Sequence, residues 1–94
     1  MMAALPRLVF ITGASSGIGQ ALAARYLQAG WRVALVARRV DEMQQWAHAQ
    51  GWPAGQWAVY EADVRDEAAI ACVAQACIQA QGLPDVVVAN AGIS

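Results

Sequence analysis

The stretch TGASSGIG, residues 12–19, decides the fold. It follows the apolar run LVFIT, residues 8–12, and leads into a segment where Ile18, Leu22, Tyr26 and Ala29 recur at a spacing near 3.6. A buried strand, a glycine-rich turn and a helix are expected in succession. Gly13 lets the chain turn tightly at the strand end. Gly17 keeps side chains away from the place where a pyrophosphate would approach the backbone, and Gly19 lets the helix pack closely. A helix opening near Gly17 aims free N–H groups and its positive end at an anion. Ser15 and Ser16 add hydroxyls. No lysine follows the glycines, so this is not a mononucleotide phosphate loop. Glycines also serve ordinary turns. Here a strand precedes the loop, a helix follows it and a second strand comes about 20 residues later, the context a dinucleotide-binding loop requires.

Outward from the loop the pattern repeats. Residues 33–37 (VALVA) and 86–89 (VVVA) read as strands buried on both faces, and residues 56–61 as a weaker strand. Met43, Trp46, Ala47 and Gln50 mark a second helix; Ile70, Val73, Ala74, Cys77 and Ile78 mark a third. Gly30, Gly51 and Gly82 each follow a helical stretch and suit a C-terminal cap. Asp66 suits the start of the third helix. Trp52, Pro53 and Gly55 mark a turn. The fold class is α/β: a doubly wound parallel sheet with helices on both faces, expected strand order 3-2-1-4. Residues 1–94 form one unit, with no internal repeat or linker.

Composition narrows the function classes. Apolar residues make up 59% of the 94, which argues against disorder. The apolar runs are far shorter than a membrane span, and the start is too short for a signal peptide. A cytoplasmic location with no membrane partner is expected. The formal net charge is -1, and all six basic residues are arginine. Beyond Arg38–Arg39 there is no basic cluster, so no nucleic-acid partner is expected. Cys72 and Cys77 are expected to be reduced, core or near-core residues. His48 is expected to be solvated. No spacing suggests a metal site.

The loop spacing is G-x-x-x-G-x-G, which resembles that of the short-chain dehydrogenase/reductase family. Three further features fit the same resemblance: Arg38 after the second strand, Asp63–Val64 after the third, and Asn90–Ala91–Gly92 after the fourth. The resemblance implies the cofactor-binding half of a Rossmann-type nicotinamide domain. Gly13, Ser15, Ser16, Gly17, Ile18 and Gly19 would then hold the pyrophosphate end. Asp63 and the Val64 N–H would contact adenine. Asn90, Ala91 and Gly92 would build the floor near the ribose, with Ser94 beside the nicotinamide end.

NADP(H) is expected over NAD(H). An NAD site usually places a carboxylate at the end of the second strand. Here the strand ends in Ala37, and Arg38 follows with a guanidinium suited to a 2′-phosphate. Arg39 adds positive charge, and Asp41 and Glu42 are expected to face away.

The family's chemistry uses a serine, a tyrosine and a lysine that come after the Asn-Ala-Gly motif. These 94 residues contain no lysine, and neither Tyr26 nor Tyr60 has one four residues on. The expectation is a fragment of a longer carbonyl reductase or alcohol dehydrogenase, inactive alone. The parent would take a small carbonyl or alcohol substrate and assemble as a homodimer or homotetramer. The alternatives are a non-catalytic dinucleotide-binding or vestigial protein, and an epimerase or dehydratase, whose loops usually run G-x-x-G-x-x-G.

Overall fold

A computed structural model describes residues 6–90. Four strands, β1 (Leu8–Thr12), β2 (Arg32–Ala37), β3 (Trp57–Glu61) and β4 (Val86–Ala89), alternate with helices α1 (Gly17–Gln28), α2 (Val40–Gln50) and α3 (Glu67–Ala80). All strand pairs are parallel and the order is β3-β2-β1-β4, the expected doubly wound arrangement. The third strand begins one residue later than expected, because residues 54–56 form a short 3-10 turn.

Side chains alternate across the sheet, so β1, β2 and β3 each feed two cores. Val9, Ile11, Val33 and Leu35 meet Ala23 and Leu27 of α1 and Met43 of α2. Leu8, Phe10, Ala34 and Val36 meet Cys77 of α3, with Ile70 and Val73 packed alongside. Every residue of β1 is buried, which is why its sequence runs apolar without alternating. Burial on both faces makes β1 the rigid centre from which the glycine loop departs.

Chain-end chemistry follows the sequence closely. The Asp66 side chain accepts the Ala69 N–H at 3.1 Å and caps α3. Gly30, Gly51 and Gly82 all take left-handed φ values after their helices. Asp85 clamps the foot of β4 to β1: its Oδ2 accepts the Leu8 N–H, and its own N–H donates to Leu8 O, each at 2.8 Å.

Three core assignments change. β4, expected to be buried on both faces, is the last strand of the sheet among the described residues, so its burial alternates and Val87 is 64% exposed. Ile18 lies in the first turn of α1 and is 64% exposed, so the stripe that faces the sheet starts after it. Cys72 and Ile78 are exposed while Cys77 is buried, because α3 turns Ala69, Ile70, Val73, Ala74 and Cys77 toward the sheet. Both thiols are free, as expected. His48 is exposed and stands edge-on to Trp57, 5.2 Å between ring centres.

Candidate functional site

The site forms where the carboxyl ends of β1, β2 and β3 open into loops. The loop after β1 turns at Gly13, whose φ is +63°. A Cβ on Gly13 would stand 2.2 Å from the Asn90 carbonyl oxygen, so conformation and contact both demand glycine. Gly19 meets a different constraint: its Cβ would fall 2.6 Å from Gly13 O and 2.8 Å from Ala14 Cα. The helix therefore closes on its own entry loop. At Gly17 an added Cβ meets nothing within 4 Å. Neither conformation nor packing requires glycine there, which leaves open space at the helix start.

Ser16 is the N-cap of α1, a role the sequence reading did not give it. Its Oγ accepts the Gly19 N–H at 3.0 Å and an Asn90 Nδ2–H at 2.7 Å, and its proton goes to Gly13 O at 3.1 Å. A hydroxyl has one donor and two acceptor positions, and all are used. Ser16 is thus committed to the loop rather than held ready as a free donor. Ser15 is exposed and its hydroxyl makes no hydrogen bond among the described residues. The first intrahelical bond runs from Gln20 N–H to Ser16 O. The N–H groups of Gly17 and Ile18 therefore remain as the helix's open donors among the described residues.

Asn90 ties the end of β4 to this loop, donating to Gly13 O at 3.1 Å as well as to Ser16. Thr12 adds a longer bond from its Oγ1 to Val88 O, 3.4 Å. Ala91, Gly92 and Ser94 lie outside the described residues.

The three loops enclose a cleft of about 320 Å³. Gly13, Ser15 and Ser16 form one side, residues 36–38 a second, and residues 62–65 the third. Val64 and Asp63, both half-buried, stand in that third wall. Asp63 is gripped by Arg65. Its Oδ1 accepts the Arg65 backbone N–H at 2.9 Å and Nε at 3.2 Å, and its Oδ2 accepts Nη2 at 2.8 Å. The Arg65 side chain, then its backbone N–H, hold the Asp63 carboxyl down at about 2; the charges of Arg65 and Arg38 add smaller pulls. Asp63 is a carboxylate at neutral pH.

The charges beside β2 are arranged differently from expectation. Glu42 does not face away: its Oε1 pairs with Arg39 Nη1 at 3.3 Å. One helical turn separates the two, so the start of α2 carries both. Arg38, Arg39, Asp41, Glu42 and Glu61 line an adjoining recess. Arg38 lines both recess and cleft, and its side chain makes no hydrogen bond or ion pair among the described residues.

Sequence reasoning missed Arg65, the Ser16 cap and the Asp85 clamp. The two-residue spacing of Asp63 and Arg65 was the available signal for the first. The Pro84–Asp85 pair ahead of β4 was the signal for the last. Tyr60 is held away from the cleft chemistry: its hydroxyl donates to Gln81 Oε1 at 2.9 Å, and burial is the main cause that pushes it up to about 12. No group of three potential metal ligands occurs among the described residues, and no helix among them is long and apolar enough to cross a membrane.

Comparison with known proteins adds four findings. A family model described as short chain dehydrogenase matches residues 7–94. The chain is 37% identical over 94 residues to a dehydrogenase/reductase SDR family protein 7-like protein of Anopheles gambiae. That match covers 94% of this chain and 29% of the relative. It is 40% identical over 93 residues to the 17-beta-hydroxysteroid dehydrogenase type 1 of Mus musculus, covering 93% and 26%. Among solved structures, that of ElxO with NADP bound superposes with a TM-score of 0.83 at 29% identity, covering 95% of this chain and 36% of that one. The chain spans between about a quarter and just over a third of the length of these proteins.

Proposed function

The chain belongs to the short chain dehydrogenase family, and we propose that it is the NADP(H)-binding part of an oxidoreductase that interconverts a carbonyl compound and its alcohol. On this reading residues 1–94 are one part of a single cofactor-binding domain in a cytoplasmic protein. The observation that carries the cofactor assignment is Arg38. It stands directly after Ala37, at the end of β2, as a cation lining the cleft with no partner among the described residues.

The residues present fit a dinucleotide. A pyrophosphate needs backbone donors and no side chain between them and itself. The open N–H groups of Gly17 and Ile18 supply donors, and the space at Gly17 supplies clearance. Ser15 offers a free hydroxyl. Asp63 presents a carboxylate to the adenine amino group, with the Val64 N–H beside it. Arg38 would hold the 2′-phosphate with two parallel charge-assisted hydrogen bonds. Asn90 would act through the loop, fixing the ends of β1 and β4 together beneath the cofactor.

When bound, the reduced nicotinamide supplies a hydride to a carbonyl carbon. The matching proton would come from the family's tyrosine, assisted by its lysine and serine. With no lysine among the 94 residues, that pair is not in this sequence. Tyr60 does not substitute for it, because a phenol pushed up to about 12 and hydrogen-bonded to Gln81 is a poor donor. The relative bound to NADP supports the same cofactor here.

The test is equilibrium titration of the full-length protein with NADPH and NADH. Saturable binding that favours NADPH is expected. Binding of neither would contradict the assignment.

A further inference from the structure

Two ion pairs flank the cleft, and they differ in what they leave free. Arg39 is occupied by Glu42, and Asp63 is occupied by Arg65. Between them Arg38 stands without a partner among the described residues. Asp63 and Arg38 line the same cleft from opposite loops, and Arg38 is close enough to pull on the Asp63 carboxyl. An unpaired Asp63 would therefore compete for Arg38. Arg65 prevents this with two side-chain bonds and a backbone one, all to the same carboxylate.

We infer that Arg65 is a specificity-determining residue: by neutralising Asp63 it keeps Arg38 available for the 2′-phosphate of the cofactor. The inference rests on the NADP(H) reading and deepens it. Adenine binding needs Asp63 as an acceptor, and phosphate binding needs Arg38 as a free cation. The two demands conflict across one small cleft unless a third group takes up the carboxylate's charge. Arg65 can do so without blocking adenine, since a carboxylate has about four acceptor positions and Arg65 uses three. The guanidinium fork suits this role better than an ammonium, because it grips both oxygens from one side. Arg65 is solvent-exposed and Asp63 half-buried, so the effect is a change of preference and not a loss of binding.

The experiment measures dissociation constants of NADPH and NADH for the full-length protein by titration, with circular dichroism on every variant. In wild type NADPH binds more tightly. Arg65→Gln weakens NADPH, leaves NADH nearly unchanged, and lowers the preference about 1.5- to fivefold, the scale of an exposed charge pair. Adding Asp63→Asn to Arg65→Gln restores the preference while weakening both cofactors alike. In an Arg38→Ala background Arg65→Gln leaves the preference where it was, because its effect passes through Arg38. Arg65→Lys gives an intermediate preference and serves if the glutamine variant fails to fold. Equal loss of both cofactors in Arg65→Gln would overturn the inference, as would a shift that persists without Arg38. A wild type that favours NADPH and an Arg65→Gln variant with the same preference would overturn the inference alone. A wild type that binds neither cofactor, or favours NADH, would overturn the NADP(H) reading and the inference together.

Discussion

The Asn90 side-chain amide donates to Ser16 Oγ at 2.7 Å and to Gly13 O at 3.1 Å, joining residues more than 70 positions apart. One amide thus holds the mouth of the sheet closed between β1 and β4. Asn90→Leu would remove one donor from each of two half-buried acceptors, which keep their bonds within the loop. We expect it to lower folding stability by roughly 0.5–1.5 kcal/mol for each hydrogen bond lost. The check is the urea midpoint of the full-length protein. An unchanged midpoint would show that the loop holds its shape without the amide.

Ser16→Ala removes a cap and two further bonds from one hydroxyl. Loss of an N-cap costs about 0.5–2 kcal/mol. The open donors at Gly17 and Ile18 do not depend on the hydroxyl itself. The expected pattern is a lower melting temperature with cofactor affinity largely kept once the protein is folded. A large affinity loss in a stable variant would mean that Ser16 contacts the cofactor directly.

The loop glycines should separate by phenotype. Gly17→Val fits the fold, since its Cβ meets open space, but it fills the ground a pyrophosphate needs. Gly13→Val collides with the Asn90 carbonyl and also demands a left-handed backbone. The first variant should keep native circular dichroism and lose cofactor binding; the second should fail to fold. Gly17→Val that binds cofactor normally would reduce the loop to a turn.

Asp63 supplies a pH test. Its carboxyl is held at about 2 by Arg65, below the ordinary 3.8. A depressed folded-state value gives stability that is present above about 4 and lost as pH falls through about 2. Solvent screening at the exposed Arg65 keeps that contribution small. The direct readout is the Asp63 carboxyl resonance in an NMR titration. Arg65→Gln should move its midpoint up toward 3.8. A midpoint that stays near 2 in the variant would assign the depression to something other than Arg65.

The glycine loop, the strand order, the Asp66 cap and the glycines that end the helices were legible in the sequence. Each rests on local chemistry: Thr12 to Gly19 on steric need, β1 on burial from both faces, Asp66 on its carboxylate at a helix start. The charge pairing at the site was not. Asp63 with Arg65, and Arg39 with Glu42, are local pairs two and three residues apart, each a choice among several nearby partners that spacing alone does not decide. Ile18 misled because its helical spacing was right, yet it lies in the first turn of α1 and is exposed. Ser16 read as a loose donor because the amide that occupies it comes from the other end of the chain.

The measurement that bears most directly on the account is the ratio of NADPH to NADH dissociation constants in the full-length protein, wild type against Arg38→Ala. Wild type should prefer NADPH. Arg38→Ala should cost about 1.5–3 kcal/mol of NADPH affinity, the usual size for a hydrogen bond to a charged group, and barely change NADH. Equal losses for both cofactors, or a wild type that prefers NADH, would contradict it.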